Sequence, residues 1–441
     1  MNVPFVRLVG GNDVCKWGLA TRYHCPLFGS PAVPRHFKNW LQAYCKFTEH
    51  SEAPLEFHFW TGVSTIAACL RSRVWKDELH FKWTPNFYII LVAPAGIVTK
   101  STTLNIGYKL LRGIAEKQKL YFGPDSMTWQ GLAKQFDAAS AYHTYKDAKT
   151  GEDKRVLMSP LTCSVSELGT FFRPDDAGLI SFLTDVWDGK EHAFNHVTSA
   201  SGNIKIESGW LNIIGATTPS WLQNNFPPGL ISEGLGSRIV FIFAETKRKL
   251  TAYPSRTARP LDYHETEQKL SEDLEDICSM IGPYDLTDEA YSWGEAWYAK
   301  HNTNARSPAM ASGRYGGYLA RKQTHMHKLA MVLAAARGSS LIITKDILVE
   351  ADAILTDAER SMIRVFESMG VVDEAKHVAE LVNYVKAYKW ITADELYRHC
   401  YNTMSERDFK QALRIAIQGE LLEVEKRGPK NGVRPKHRTI N

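Results

Sequence analysis

Lys100, Ser101 and Thr102 stand in a row at the close of a short loop, Pro94-Ala95-Gly96-Ile97-Val98-Thr99. A lysine beside a hydroxyl in that setting suits a nucleoside triphosphate. Backbone N–H groups from Ala95 to Thr102 can cradle the phosphates, Lys100 can reach the β- and γ-phosphates, and Ser101 can hold Mg²⁺. The spacing departs from the standard phosphate loop, because Thr99 and Pro94 stand where glycines are expected; the stretch reads as that loop with one extra residue. Its plainer alternative is an ordinary strand-to-helix turn with a surface lysine.

Further along, Glu167 follows the apolar run Leu161-Thr162-Cys163-Ser164-Val165 and precedes the turn-prone Leu168-Gly169. A carboxylate there can orient or deprotonate an attacking water, or simply cap a helix. Ser166 occupies the place of the usual metal-binding aspartate, so either hydrolysis is slow or Asp185 or Asp188 substitutes at the metal. Thr217 and Thr218 sit where a polar sensor of the γ-phosphate belongs, although threonines before a proline are also common turn residues. Arg238, after Gly236-Ser237, is placed to act as an arginine finger toward a neighbouring copy's nucleotide, or to make a surface salt bridge. Arg321, Lys322, His325 and Lys328 share a helix face and read as a second sensor, a DNA path or a solvated basic face.

These residues need a scaffold. Phe87 to Val92 is a continuous apolar run bounded by Pro85 and Pro94, the pattern of a buried parallel strand, and Leu104 to Arg112 has helical periodicity. Strand patterns recur at Leu161–Val165, Trp210–Gly215 and Arg238–Ala244 with helical stretches between them, which predicts a parallel α/β core with its ligand at the strand ends. A hairpin is expected at Ala193–Val197 and Ile204–Glu207, with Ile204 and Ile206 inward and Lys205 outward. Asp137 to Ser159 reads as an exposed loop or hairpin insertion, and a helix is expected to open at Asp125 or Ser126.

Helical patterns cover Pro34–His50 and Phe57–Trp75, and dominate again from Thr287 to Phe366. Lys247 to Arg259 is a basic, proline-containing linker. In the last 70 residues, Glu374–Ala387 forms one helix, a capping box at Thr392–Glu395 opens a second, and Ser405 caps a third that ends near Gln418; two short strands around a basic turn follow. That order predicts a winged helix. The chain then divides into an irregular arm (1–32), a helical region (33–84), an ATPase core (85–250), a helical lid (251–369) and a winged-helix domain (370–441).

Composition sets the outer limits. With 441 residues, 44% hydrophobic and 23% charged, the chain has the balance of a soluble globular protein of several domains. No apolar run reaches membrane-spanning length and the amino terminus lacks a signal-type apolar core, so a cytoplasmic location with no membrane partner is expected. Seven dispersed cysteines without a CxxC pair point to reduced thiols; Cys15, His24 and Cys25 lack the paired spacing of a zinc site. Net charge is +5, and the basic excess concentrates in Lys426–Asn441, with six Lys or Arg and no acid.

In order along the chain, EAPLEFHFWTGVSTIAACLRSRVW, PNFYIILVAPAGIVTKSTT, FGPDSMTWQGL, SVSELGTFF, LTDVWDG, LNIIGATTPSWL, GLGSRIVFIFAE and RKQTHMHKLAM resemble the phage and mobile-element family of RecA-like P-loop ATPases known as domain of unknown function 3987. Members of that family carry helicase or primase-helicase descriptions. The resemblance spans about Pro34 to Phe366. It implies a RecA-like or AAA+-like core, ATP and Mg²⁺ as cofactors, and a DNA motor for replication in a bacterial host, assembled as a ring, most simply a hexamer. No primase-type site is evident, so any priming would fall to another chain.

Superfamily 3 helicases place a hairpin at a similar point of the chain to grip DNA in the pore, which would give Lys205 and His196 that role. In the winged helix, Arg407, Lys410, Gln411 and Arg414 on the third helix, with Lys426, Arg427, Lys430, Arg434, Lys436 and Arg438 of the wing, suit phosphate contacts. Two rivals stay open: an ATP-switched initiator or helicase loader without processive unwinding, and a scaffold whose pocket no longer binds nucleotide.

Overall fold

A computed structural model describes residues 35–436, apart from 125, 127, 148–149, 173–175, 190–193, 199–201, 207, 227–233, 258–259, 304–314 and 428. The expected irregular arm, the helix cap at Asp125, the tip of the 193–207 hairpin and Arg438 lie outside the described residues.

Two helices, α1 (Trp40–Phe47) and α2 (Leu55–Leu70), lead into a small hairpin of β1 (Val74–Glu78) and β2 (Phe81–Trp83), then into β3 (Tyr88–Val92) and α3 (Lys100–Gln118). There follow α4 (Trp129–Ala138), β4 (Ala141–Lys146), the long β5 (Asp153–Val165), α5 (Leu168–Phe171) and α6 (Ala177–Trp187). The hairpin of β6 (Phe194–Thr198) and β7 (Gly202–Ile206) precedes β8 (Gly209–Thr217), α7 (Pro219–Asn225) and β9 (Ile239–Phe243).

The central sheet has the order β4-β5-β8-β3-β9. β5, β8, β3 and β9 run parallel, and β4 closes one edge antiparallel to β5. Alternate side chains of β3 feed two cores: Ile89 and Leu91 pack under α2, α3 and the later helices, while Tyr88, Ile90 and Val92 join Phe182, Leu183, Leu222 and Phe226 on the other face. Burial on both faces is why β3 reads as an unbroken apolar run. The expected α/β class is therefore observed.

α3 approaches α2 closely at Gly107, where an added Cβ would come within 2.7 Å of Thr61 Cγ2 and Thr65 Oγ1. The lack of a side chain there brings the loop-bearing helix flush against the sheet's cover.

On the first-named face lie α9 (Pro260–Ser279, after the four-residue α8, Pro254–Thr257) and α11 (Gly316–Arg337), with α10 (Asp288–Thr303) between them in the chain. α9 lies inside the helical lid expected at 251–369, and Leu270, Leu274, Ile277 and Cys278 recur along it at helical spacing and are all buried. Thr287 caps α10 by accepting from Ala290 N at 3.3 Å, as its sequence predicts.

Three other expectations are corrected and one is narrowed. The helix after α3 starts at Trp129 under a Thr128 cap, because Thr128 Oγ1 accepts from Gly131 N at 3.2 Å. Of the two forms expected at 137–159, loop or hairpin insertion, the hairpin is observed: β4 and the first half of β5 pair from Ala141↔Met158 to Lys146↔Asp153, and they extend the main sheet. Arg238 lies in a short 3₁₀ turn before β9 rather than inside the strand. Finally, α12 (Lys345–Tyr388) is one helix of 44 residues, about 66 Å at 1.5 Å per residue, so the boundary expected at 369/370 falls inside it.

Beyond it, α13 (Ala393–Cys400) opens on a capping box of Thr392 and Glu395, and α14 (Glu406–Gln418) on Ser405. Strands Leu422–Arg427 and Lys430–Pro435 pair, with Ile391–Thr392 as a third. These elements share a separate core around Leu381, Val385, Leu396, Phe409 and Val433.

Candidate functional site

The carboxyl ends of the parallel strands gather Lys100, Thr217 and Glu167. β3 and β8 are in register to Val92↔Thr217, and β8 and β5 to Gly215↔Val165. Glu167 lies two residues past Val165, so the same register carried on by two residues stands it level with Thr217 and Val92. β8 separates β3 from β5; at about 4.8 Å per strand spacing, Glu167 sits roughly 10 Å across the sheet from the loop strand. That gap accommodates a terminal phosphate and one water.

The loop from Ala93 to Thr99 turns at Gly96, whose φ of +71° lies in the left-handed region and whose Cβ position is open space. Ala95, Gly96 and Ile97 are exposed, whereas Val98 is buried in the core and anchors the loop, leaving its backbone alone to serve a ligand. Lys100 opens α3, and its Nζ folds back to donate to Ala93 O at 2.6 Å and Pro94 O at 3.1 Å. Half-buried in this way, its ammonium is held below the usual lysine range by burial.

Thr99 precedes the helix without capping it through its side chain, and Ser101 and Thr102 are exposed in the first turn. The positive end of a 19-residue helix therefore faces the loop with its first N–H groups uncapped by a side chain. Glu167 is exposed, as is Ser166 beside it. Thr217 is buried at the strand end, with its carbonyl accepting from Ala93 N at 3.3 Å, while Thr218 spends its hydroxyl accepting from Trp221 N at 3.2 Å as the cap of α7. Of the two expected sensors, Thr218 is a helix cap.

Arg238, Asp188 and Arg321 do not join this site. Arg238 immediately precedes Ile239, which pairs with Tyr88 at the start of β3, so it lies at the opposite, amino-terminal edge of the sheet. There its guanidinium is buried against Asp188 and donates to Gly234 O at 2.6 Å. A finger must reach solvent, and this one is spent within its own chain. For the same reason Asp188 is not available as a metal ligand beside Ser101. Arg321 lies by the same pair; burial first, then Arg238, lowers its pKa.

The remainder of that helix face is buried as well. Lys322 contacts Glu359 at 2.9 Å and Asp352 at 3.3 Å; His325 approaches Ser237 O at 3.2 Å; Lys328 donates to Asn86 Oδ1 and, at 3.3 Å, to Trp187 O. The face is a structural joint between α11, α12 and the sheet, neither solvated nor a DNA path.

The hairpin of β6 and β7 forms where expected, with Lys205 paired with Asn195 and His196, one position along the facing strand, paired with Ile204. Arg407, Lys410 and Arg414 lie exposed along α14, with Lys410 bonded to Glu406 at 2.5 Å. In the strand pair, Lys426 is exposed, Arg427 contacts Glu425 at 3.1 Å, and Arg434 contacts Glu423 at 2.9 Å. Acids of the Leu422–Arg427 strand, Glu425 beside Arg427 and Glu423 across from Arg434, thus offset part of a charge excess that the sequence shows only as a basic run. The Lys430 side chain lies outside the described residues.

Among the described residues no three His, Cys, Asp or Glu gather as a metal cluster, and no helix is long and apolar enough to cross a membrane. Cys45, Cys69, Cys163, Cys278 and Cys400 are free thiols. No family model matches the chain, and no curated protein matches it significantly.

Proposed function

We propose that the chain is an ATP-dependent motor on DNA, acting in phage or mobile-element replication as a ring of identical subunits, with a RecA-like core and a carboxyl-terminal winged helix. The observation that carries this reading is the posture of Lys100. A lysine at the first position of a helix, folded onto the two carbonyls that open the preceding loop, exchanges those acceptors for phosphate oxygens when a nucleotide enters.

ATP would lie along Ala95 to Thr102. Gly96 and the open helix end supply N–H donors, Lys100 the counter-charge, and Glu167 the acceptor that aims a water. Mg²⁺ keeps most of its ligands as water and phosphate, so the Ser101 hydroxyl is a sufficient protein contribution. When bound, the metal neutralises charge on the β- and γ-phosphates. DNA would meet the β6–β7 hairpin and the exposed cations of α14. The resemblance of the motifs and their order to those of the phage ATPase family is in keeping with the same assignment.

Ser166, exposed and uncharged beside Glu167, favours a second reading in which ATP acts as an assembly switch for an initiator or helicase loader. Steady-state ATP turnover with and without single-stranded DNA separates the two: a motor is stimulated several-fold, a switch turns over little in either condition. Lys100→Ala should abolish both turnover and strand separation, and unwinding that survives this change would end the motor reading.

A further inference from the structure

A second cavity, of about 330 Å³, opens at the other edge of the sheet, between the β1–β2 hairpin, the extended part of β5 and the start of β8. Trp210, where β8 begins, and Thr217, beside the Lys100 loop, are seven residues apart along one strand, about 23 Å. The cavity is therefore too far from the loop for one nucleotide to occupy both.

Its lining combines three chemistries. Trp75 and Tyr145 meet edge to face, with ring centroids 5.1 Å apart, and give it an aromatic wall. Lys82, which makes an interaction of its own, and Lys154 are exposed at the cavity, and among the described residues no carboxylate lines it. Lys154 holds Asp147 with one of its three N–H donors, and the Arg155 guanidinium lies 4.1 Å from the Tyr142 ring centroid. The local field is positive: His143 on β4 is held below the usual histidine range, first by burial and then by Arg73, Arg71 and Lys119.

The third chemistry is unspent hydrogen bonding. Trp210 is 2% exposed, and among the described residues its indole N–H has no acceptor and the buried Ser72 hydroxyl has no partner. Both residues line the cavity. Buried polar groups ordinarily find partners, and two orphans at one cavity mark where acceptor atoms of a ligand belong.

A ligand satisfying all three is flat, rich in acceptors and anionic, and fits a small-molecule volume. We propose that this cavity binds a nucleobase with its phosphate: the base against the Trp75–Tyr145 wall and within reach of Trp210 Nε1 and Ser72 Oγ, the phosphate toward Lys82 and Lys154. A free nucleotide and one residue of a nucleic-acid strand present this same chemistry. The inference does not depend on hydrolysis at Lys100.

The test uses the full chain carrying Lys100→Ala, which silences the phosphate loop. It is irradiated with 4-thiouridine monophosphate or with an oligonucleotide containing one 4-thiouridine, and adducts are mapped by mass spectrometry. Adducts on peptides bearing Trp75, Tyr145 or Trp210 are expected. Their yield should fall about tenfold in Lys82→Glu/Lys154→Glu, whose side chains are exposed and whose circular dichroism should be unchanged. Labelling by the mononucleotide assigns a free nucleotide, and labelling by the oligonucleotide alone assigns a strand. Adducts only elsewhere, no adducts from either probe, or a yield indifferent to charge reversal would overturn the proposal.

Discussion

Arg238 lays its guanidinium along the carboxylate of Asp188, with Nε 3.2 Å from Oδ1 and Nη2 2.6 Å from Oδ2. The arginine is 4% exposed and the aspartate side chain 32%, so the pair is sheltered on one side and wet on the other. Trp187 lies against the same guanidinium at 5.6 Å, and Tyr88, which pairs with Ile239, donates its hydroxyl to Leu183 O at 2.8 Å. The pair thus ties the end of α6 to the amino ends of β3 and β9.

Removing the arginine takes away the partner of Asp188 and one of the two side-chain donors to Gly234 O, leaving the Ser237 hydroxyl at 2.7 Å. Arg238→Ala should cost about 2 to 3 kcal/mol of stability, measured by urea unfolding, and Asp188→Asn added to it should recover part of that loss. An arginine serving a neighbouring copy's nucleotide would behave in the opposite way, with turnover lost and the unfolding midpoint unchanged.

Lys328 gives a pH signature. Burial pushes its ammonium down to about 7, Asp188 pulls it up and Arg238 pushes it down. In the unfolded chain it titrates near 10.4. Between those values the unfolded state binds the extra proton, so this residue's contribution to stability rises as pH increases from about 7. Wild type should therefore gain on Lys328→Met between pH 7 and 9, compared by chemical denaturation at each pH. A flat difference would show that the amine stays charged inside.

Glu167→Gln keeps shape and removes charge at an exposed position. Turnover should fall by about 10² or more, with nucleotide affinity nearly kept and stability within about 0.5 kcal/mol. Phosphate release and binding of a fluorescent ATP analogue report the two separately. Lost binding with unaltered melting would make Glu167 a nucleotide contact.

For DNA, Arg407→Glu/Arg414→Glu on α14 should weaken binding about tenfold and shallow the slope of log affinity on log salt by about 2 for duplex. Arg434→Ala, which removes a side chain paired with Glu423 across the strand pair, should change it far less. Salt titrations by fluorescence anisotropy compare the three. Equal losses would move the contact surface to the strands.

Local rules made much of this legible. β3 and β9 show themselves as apolar runs because both faces of the sheet are covered, and Thr392 and Ser405 announce their helices because capping is settled within four residues. Lys100 could be placed because it closes the loop that leaves β3, and Glu167 because it lies two residues past β5. Arg238, Asp188 and the α11 cations could not, since whether a charge meets solvent or an opposite charge 50 residues away is decided by packing. Thr217 and Thr218 show the limit most finely: adjacent hydroxyls, one at a strand end, the other given over to an amide of the next helix. The Trp75–Trp210 cavity left no local trace, because its walls come from strands far apart in the chain.

The unbroken run from Lys345 to Tyr388 changes how the two ends of the molecule can meet. A tether of similar length in flexible chain would let the terminal unit sample a wide cloud of positions, with its encounter rate set by random span. A rod fixes the separation instead. Whatever α14 holds is then delivered to the core at one distance and one bearing, so the geometry of that strut, rather than chance, meters how often the two act together.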